Sequence, residues 1–172
     1  MLRFAKAFWD IALWRRSPAQ LPASLFLLGL LAAAVALLEV VGAMLPPSSS
    51  DRIVTRVVLS VGLPLGFAWV VLAIARHGQR FLQTGTALLG VGILAELVVY
   101  PVSSLLEMVG TDQPIAIPLG VMLLMGFIWY LLACANIWRA ALDSGAGLGI
   151  AVSVGYMVLS TVLEQQLLPG AS

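Results

Sequence analysis

Glu96 sits near the middle of a long apolar run, and Tyr100, Ser103 and Glu107 follow it at intervals of four, three and four residues. On a helix that spacing makes one stripe. Ser153, Tyr156, Ser160 and Glu164 form a second stripe, at intervals of three, four and four, in the last apolar run. Glu39 and Arg56 place two more charges inside apolar surroundings, one on each side of Pro46-Pro47. A charge at the centre of a bilayer-spanning helix costs about 2.5–3.5 kcal/mol on insertion scales, so such groups turn toward protein, water or each other. Two readings follow for the stripes. They can line a hydrated, carboxylate-bearing path for protons or cations, or they can be hydrogen-bonding glue between helices, with Glu107 and Glu164 reaching the headgroups. Pro101 has no N–H to donate, which frees the carbonyl of Leu97 beside Glu96. An antiparallel hairpin about the double proline brings Glu39 and Arg56 to one depth and predicts a structural ion pair.

Other chemistry is excluded by what the chain lacks. The lone cysteine, Cys134, forbids an internal disulfide and reads as buried packing, and the lone histidine, His77, leaves no ligand set for zinc. A net charge of +1 offers no basic face to nucleic acid. Gly145-Ala146-Gly147-Leu148-Gly149 has neither a preceding strand nor a following lysine, so it is no phosphate loop and reads as a flexible lead into the last helix. No nucleophile, base and acid fall together. The expectation is therefore no enzyme, with no catalytic, cofactor-binding or metal site.

The elements that carry these residues follow from composition. Of 172 residues, 61% are hydrophobic and only 10% charged, with a mean hydropathy of +1.05. Soluble domains carry about 25% charged residues, so this chain cannot coat a water-soluble surface. Five apolar stretches, at about 23–45, 53–75, 81–108, 115–138 and 148–168, each have the roughly 20 residues needed to cross a bilayer. The segments 46–50, 76–80 and 110–114, rich in Pro, Gly and polar residues, separate the first four. Strict alternation over ten-residue segments, the mark of a membrane β-barrel, is absent. The fold class is an all-α, polytopic bundle of five transmembrane helices whose short loops make consecutive spans antiparallel neighbours.

Arg3, Lys6, Arg15, Arg16, Arg76, Arg80 and Arg139 fall on one side of such a bundle and Arg52 and Arg56 on the other. The positive-inside rule then puts the N-terminus in the cytoplasm and the C-terminus outside. The first span is longer than a signal peptide's apolar core and reads as an uncleaved anchor. Residues 1–18 form a separate cytoplasmic segment. Phe4, Phe8 and Ile11 recur at helical spacing, with Trp9 and Trp14 interleaved among cations, which predicts an interfacial amphipathic helix ended by Ser17-Pro18.

Smaller features complete the reading. A shift of sixty residues matches Phe67, Trp69, Leu72, Ala73 and Ala75 to Phe127, Trp129, Leu132, Ala133 and Ala135, and Leu82, Gly85 and Leu88 to Leu142, Gly145 and Leu148. This suggests that hairpin 53–108 is repeated as 115–168. Gly62 and Gly66 have the spacing of close helix packing, and Pro64 between them predicts a kink. Arg76, His77 and Arg80 serve as positive-inside signals or meet anionic headgroups, and Asn136 and Arg139 are placed to bind the last carbonyls of the fourth span.

Leu13-Trp14-Arg15-Arg16-Ser17-Pro18, just ahead of the first span, together with five spans and very short loops, resembles the Yip family of five-span membrane proteins. The resemblance implies membrane organisation, trafficking or partner recruitment and carries no active-site residues. A composition rich in Arg, Ala and Leu with a single Lys suits a high-GC bacterium, which points to the inner membrane. The expected function is a non-enzymatic scaffold, trafficking-like factor or accessory subunit. The alternative is a small transporter or proton/cation conduit built on Glu39, Arg56, Glu96, Tyr100, Ser103, Glu107, Ser160 and Glu164. Expected partners are membrane lipids and another membrane protein or a second copy of the chain.

Overall fold

The computed structural model describes residues 23–44, 52–110 and 112–168. The amphipathic segment 1–18, with its 13–18 motif, and the 46–50 turn lie outside the described residues. Among the described residues every regular element is helical. In chain order they are α1 (Leu25–Met44), α2 (Ile53–Ile74), α3 (Phe81–Val109), α4 (Ala116–Ala141) and α5 (Ala146–Leu167). All five are long and apolar enough to cross a membrane, and the chain is a multi-pass membrane protein.

α2 is not uniform. A π turn at Val58–Gly62 separates an α segment at Ile53–Val57 from a longer one at Leu63–Ile74. Pro64 explains it: with no N–H it cannot bond back to the carbonyl of Ser60, and widening the preceding turn accommodates the loss. The kink predicted at this proline therefore takes the form of a π turn. Pro101, by contrast, is carried inside α3 without ending it. At 29 residues α3 is ~44 Å long against ~30 Å of hydrocarbon, so it must tilt or protrude.

Consecutive helices pack on one another, and α3 is the hub, lying against α1, α2 and α4, while α5 packs on α4 and touches α2. Burial is concentrated at one end. Most of it lies in Leu27, Leu28 and Val35 of α1, Ala68 and Leu72 of α2, residues 84–91 of α3, 133–138 of α4, and Gly149 and Ser153 of α5, whereas the opposite end buries Ala116 and Leu168. Phe67 meets the fully buried Trp138 edge-on at 5.6 Å and Tyr156 at 5.4 Å. We call this the closed end. Toward the other end the helices are thinly covered, and α4 exposes Ile117, Val121, Met122 and Met125.

Small residues set the tightest approach, as expected where lipid gives no hydrophobic drive between helices. A Cβ on Gly149 of α5 would stand 2.3 Å from the carbonyl oxygen of Ala135 and 3.1 Å from the amide nitrogen of Arg139. Gly149 of the glycine-rich stretch is thus a packing position inside α5, whereas a Cβ on Gly145 or Gly147 would meet nothing within 4 Å. Gly62 and Gly66 do not play the part their spacing predicts. A Cβ on Gly66 would meet nothing within 4 Å, and one on Gly62 only Val58 of its own helix, at 3.8 Å.

α2 and α4 end in the same way. Arg76 (φ 59°) and Asp143 (φ 47°) turn the chain in the left-handed region. The next amide in each case reaches back five residues: His77 to the Leu72 carbonyl at 2.8 Å, and Ser144 to the Arg139 carbonyl at 3.0 Å. These are Schellman closures with arginine and aspartate where glycine is usual. The sixty-residue self-similarity does not follow this equivalence. Leu82 lies within α3, whereas Leu142 lies in the turn after α4, and the two left-handed residues are not sixty apart.

Candidate functional site: a polar open end and a clamped closed end

The last turns of α1, α3 and α5 and the first of α2 share the open end, and this brings the predicted polar residues to one region. Glu39 lies within electrostatic range of Glu96 and of Glu164, so three helices each place a carboxylate in this half of the bundle without forming a close cluster. Glu39 and Glu96 are half-buried and Glu164 is exposed. Glu107, farther along α3, is exposed as well.

The predicted ion pair is absent. Glu39 faces carboxylates, and no bond within 4.0 Å joins it to Arg56, whose Nε is buried without a hydrogen-bond partner among the described residues. The reason is geometric. Spacing about the double proline sets only the depth of the two residues, whereas the pairing also needs the right rotation of α1, and Glu39 lies in the field of Glu96 on α3 instead.

The hydroxyls of the stripes also behave differently from expectation. Ser103 donates to the Tyr100 carbonyl, Ser160 to the Met157 carbonyl and Ser153 to the Gly149 carbonyl, each at 2.9 Å and each within its own helix. They neither bridge helices nor extend the carboxylate path. Tyr100 does reach across, its hydroxyl standing 3.5 Å from the Gly42 carbonyl of α1 and its ring 3.6 Å from where a Cβ on Gly42 would be. At that distance the ring contact counts for more than the hydrogen bond.

The closed end holds a feature that the sequence reading missed. Arg80, in the short 3₁₀ turn Gly78–Arg80 before α3, donates to the carbonyls of Ala140 and Ala141 at 3.0 and 3.1 Å, and to the carboxylate of Asp143 at 2.5 Å. Its guanidinium thus satisfies carbonyls that the end of α4 would leave orphaned, and it sits at the negative pole of that helix. His77 Nε2 lies 4.0 Å from the same carboxylate, and its Nδ1 lies 2.7 Å from the Ala75 carbonyl. The hydrogen bond from Arg80 holds the Asp143 carboxyl below its ordinary range. One signal was available in the sequence: opposite charges at 80 and 143, in two loops on the same side of the bundle.

Beside this clamp, Arg80, Arg139, Ala140, Asp143, Ser144, Gly145 and Ala146 line an open depression of about 460 Å³. Ser144 Oγ is buried and has no hydrogen-bond partner among the described residues. No group of three or more His, Cys, Asp or Glu side chains among the described residues is placed to hold a metal ion. Cys134 lies fully buried in the core. Comparison of the chain with protein-family models, curated proteins and solved structures gave no match.

Proposed function

We propose that this chain is a non-enzymatic scaffold or accessory subunit of a membrane complex, seated in the bacterial inner membrane with its N-terminus in the cytoplasm. The observation that carries the reading is the contrast between its two ends. The closed end is packed and tied by the Arg80 clamp. At the open end, helices are thinly covered and Arg56 keeps a buried, unpartnered Nε. Unpaired polar groups at membrane depth are costly, and a neighbouring protein that pairs with them relieves that cost. The layout that resembles the Yip family supports the same reading, since it implies recruitment of partners rather than catalysis. The bias of Lys and Arg toward the N-terminal side supports the orientation.

A photo-crosslinking residue in place of Leu105, at the exposed open end of α3, is expected to give a discrete protein adduct in native membranes. The same residue in place of Ile74, exposed at the closed end of α2, is expected to give none. Equal labelling from both positions, or none from either, would overturn the reading.

One observation favours a second reading, a proton or cation conduit: Glu39 lies within electrostatic range of Glu96 and of Glu164, carboxylates carried by two other helices. Purified protein in liposomes distinguishes the two. The scaffold reading expects no proton or cation flux under an imposed gradient. Flux that disappears in Glu96→Gln, with folding intact, would replace it with the conduit.

A further inference from the structure

We infer that α2 is a helix of two registers: the π turn at Val58–Gly62 directs Arg56 into the bundle, and an α turn there puts Val57 in its place. The two halves of α2 are held differently. Leu63–Ile74 buries Pro64, Ala68 and Leu72, which fix its rotation, whereas Ile53–Val57 and the π turn bury no residue. A Cβ on Gly62 would touch only Val58, so no neighbouring helix clamps the turn at that position. The first half of α2 can therefore rotate against the second.

The π turn sets that rotation. It fits one more residue into the same length of helix than α turns do, and one residue of α-helix is worth about 100° and about 1.5 Å. Val54 and Val58 are 77% and 60% exposed. Arg56, two residues from each, falls on the opposite face, and its Nε is buried without a hydrogen-bond partner among the described residues. Rewinding the turn to α, with Leu63–Ile74 held, displaces every residue before it by one position. Val57 then takes the place of Arg56 and Thr55 that of Val54, while Arg56 swings about 100° to the flank of the helix. The segment packs on α1, the helix of Glu39, so the exchange swaps a cation for a valine beside that helix.

Each register carries its own cost, which makes the pair a switch. The π register spares the Pro64 ring a clash with the Ser60 carbonyl. Ser60 Oγ also donates to the Arg56 carbonyl at 2.9 Å, at the edge of the widened turn. Against this, the π register leaves the Arg56 Nε buried and unsatisfied. The α register turns an apolar side chain inward instead, and meets the proline ring. An acceptor brought by a neighbouring molecule pairs with the inward Nε in the π register only, so its binding shifts the population toward that register. The device rests on α2 and does not depend on the scaffold reading.

Spin labels report the register directly. Ile53→Cys, Val54→Cys, Thr55→Cys and Val57→Cys are labelled one at a time in the full chain in phosphatidylcholine nanodiscs, and collision with oxygen measures contact with lipid. The native Cys134 is fully buried and does not take the label. Accessibility in wild type is expected to peak at Val54. Pro64→Ala restores the N–H and removes the ring, and the peak is expected to move by one residue, to Thr55. Ser60→Ala removes the hydroxyl that holds the Arg56 carbonyl and is expected to move the peak the same way by an independent route. A label at Ile74, exposed at the end of the fixed half, is expected to keep its accessibility in both variants.

Deleting Leu59 from the Pro64→Ala chain takes out the residue that the π turn accommodates. The helix is then α throughout with Arg56 inward again, and the peak is expected to return to Val54. A peak at Thr55 in wild type, or one that stays at Val54 in both Pro64→Ala and Ser60→Ala, would overturn the two registers. So would a peak at Thr55 that deletion of Leu59 leaves in place. An equal rise at all four positions would mark local unfolding and overturn them as well.

Discussion

Arg80 and Asp143 are 63 residues apart in the chain and share a hydrogen bond of 2.5 Å that ties the turn before α3 to the turn after α4. The same guanidinium holds two carbonyls of α4, so it acts as a cap supplied from a distant part of the chain. Arg80→Gln is expected to loosen the closed end measurably, because it removes the charge and the fork geometry together. Asp143→Asn is expected to do less, since the carbonyl bonds of Arg80 survive it. Hydrogen exchange at the amides of Leu142 and Ser144 in nanodiscs reports both. Greater exchange in Asp143→Asn than in Arg80→Gln would contradict the assignment of the carbonyl bonds as the main tie.

The same contact has a pH dependence with a defined sign. Asp143 is held below its ordinary range by Arg80, with His77 adding to the positive field. A carboxyl depressed in the folded state contributes stability above its unfolded pKa of about 3.9, and that contribution is lost as pH falls through the lower folded value. The clamp should therefore be constant from neutral pH down to about 4 and weaken below that. Asp143→Asn should remove this acid limb from the thermal unfolding profile of the detergent-solubilised protein. An unchanged limb in the variant would assign the acid sensitivity to other carboxylates.

Gly149 and Gly66 separate packing from propensity. Gly149→Ala forces a methyl to within 2.3 Å of the Ala135 carbonyl, a backbone atom that cannot swing aside. α5 must move off α4, and the expected result is a large loss of thermal stability or of folded yield. Gly66→Ala meets open space and is expected to be neutral or slightly stabilising, since alanine is the better helix former by up to about 1 kcal/mol. Similar losses in both variants would mean that the α4–α5 approach is not the tight contact of the bundle.

The contrast between those glycines shows what could be read in the sequence. Span number and placement were legible because crossing a bilayer demands length and apolarity, and both are local properties. The last helix begins and ends within two residues of its expected bounds, and α4 runs only three residues past its own. Depth was legible too, which is why the charges of α1, α3 and α5 lie toward one end. Rotation about each helix axis was not legible, because helices apolar all round carry little signal of which face turns inward. The Glu39–Arg56 pair and the Gly62–Gly66 contact both depended on rotation, and neither is formed. Arg80 was missed for a different reason: two of its three partners are main-chain carbonyls, which have no sequence signature, and only the opposite charge of Asp143 pointed to the clamp.

Glu39 supplies the last test, because its two proposed surroundings give opposite signs. Paired with Arg56, Glu39 would be needed, and Glu39→Gln would strand a buried cation at a cost of several kcal/mol. In the structure Glu39 instead lies in the field of Glu96 and Glu164, and Arg56 already lacks a partner at Nε. Glu39→Gln is then expected to leave stability unchanged or to raise it, because it relieves like-charge repulsion. Two double-mutant cycles, read by unfolding in a mild detergent, make the comparison quantitative. Glu39→Gln with Arg56→Gln is expected to be additive to within about 0.5 kcal/mol, as for residues that share no contact. Glu39→Gln with Glu96→Gln is expected to be non-additive, since either change alone removes the same repulsion. Coupling in the first cycle and additivity in the second would restore the ion pair and take Glu39 out of the field of Glu96.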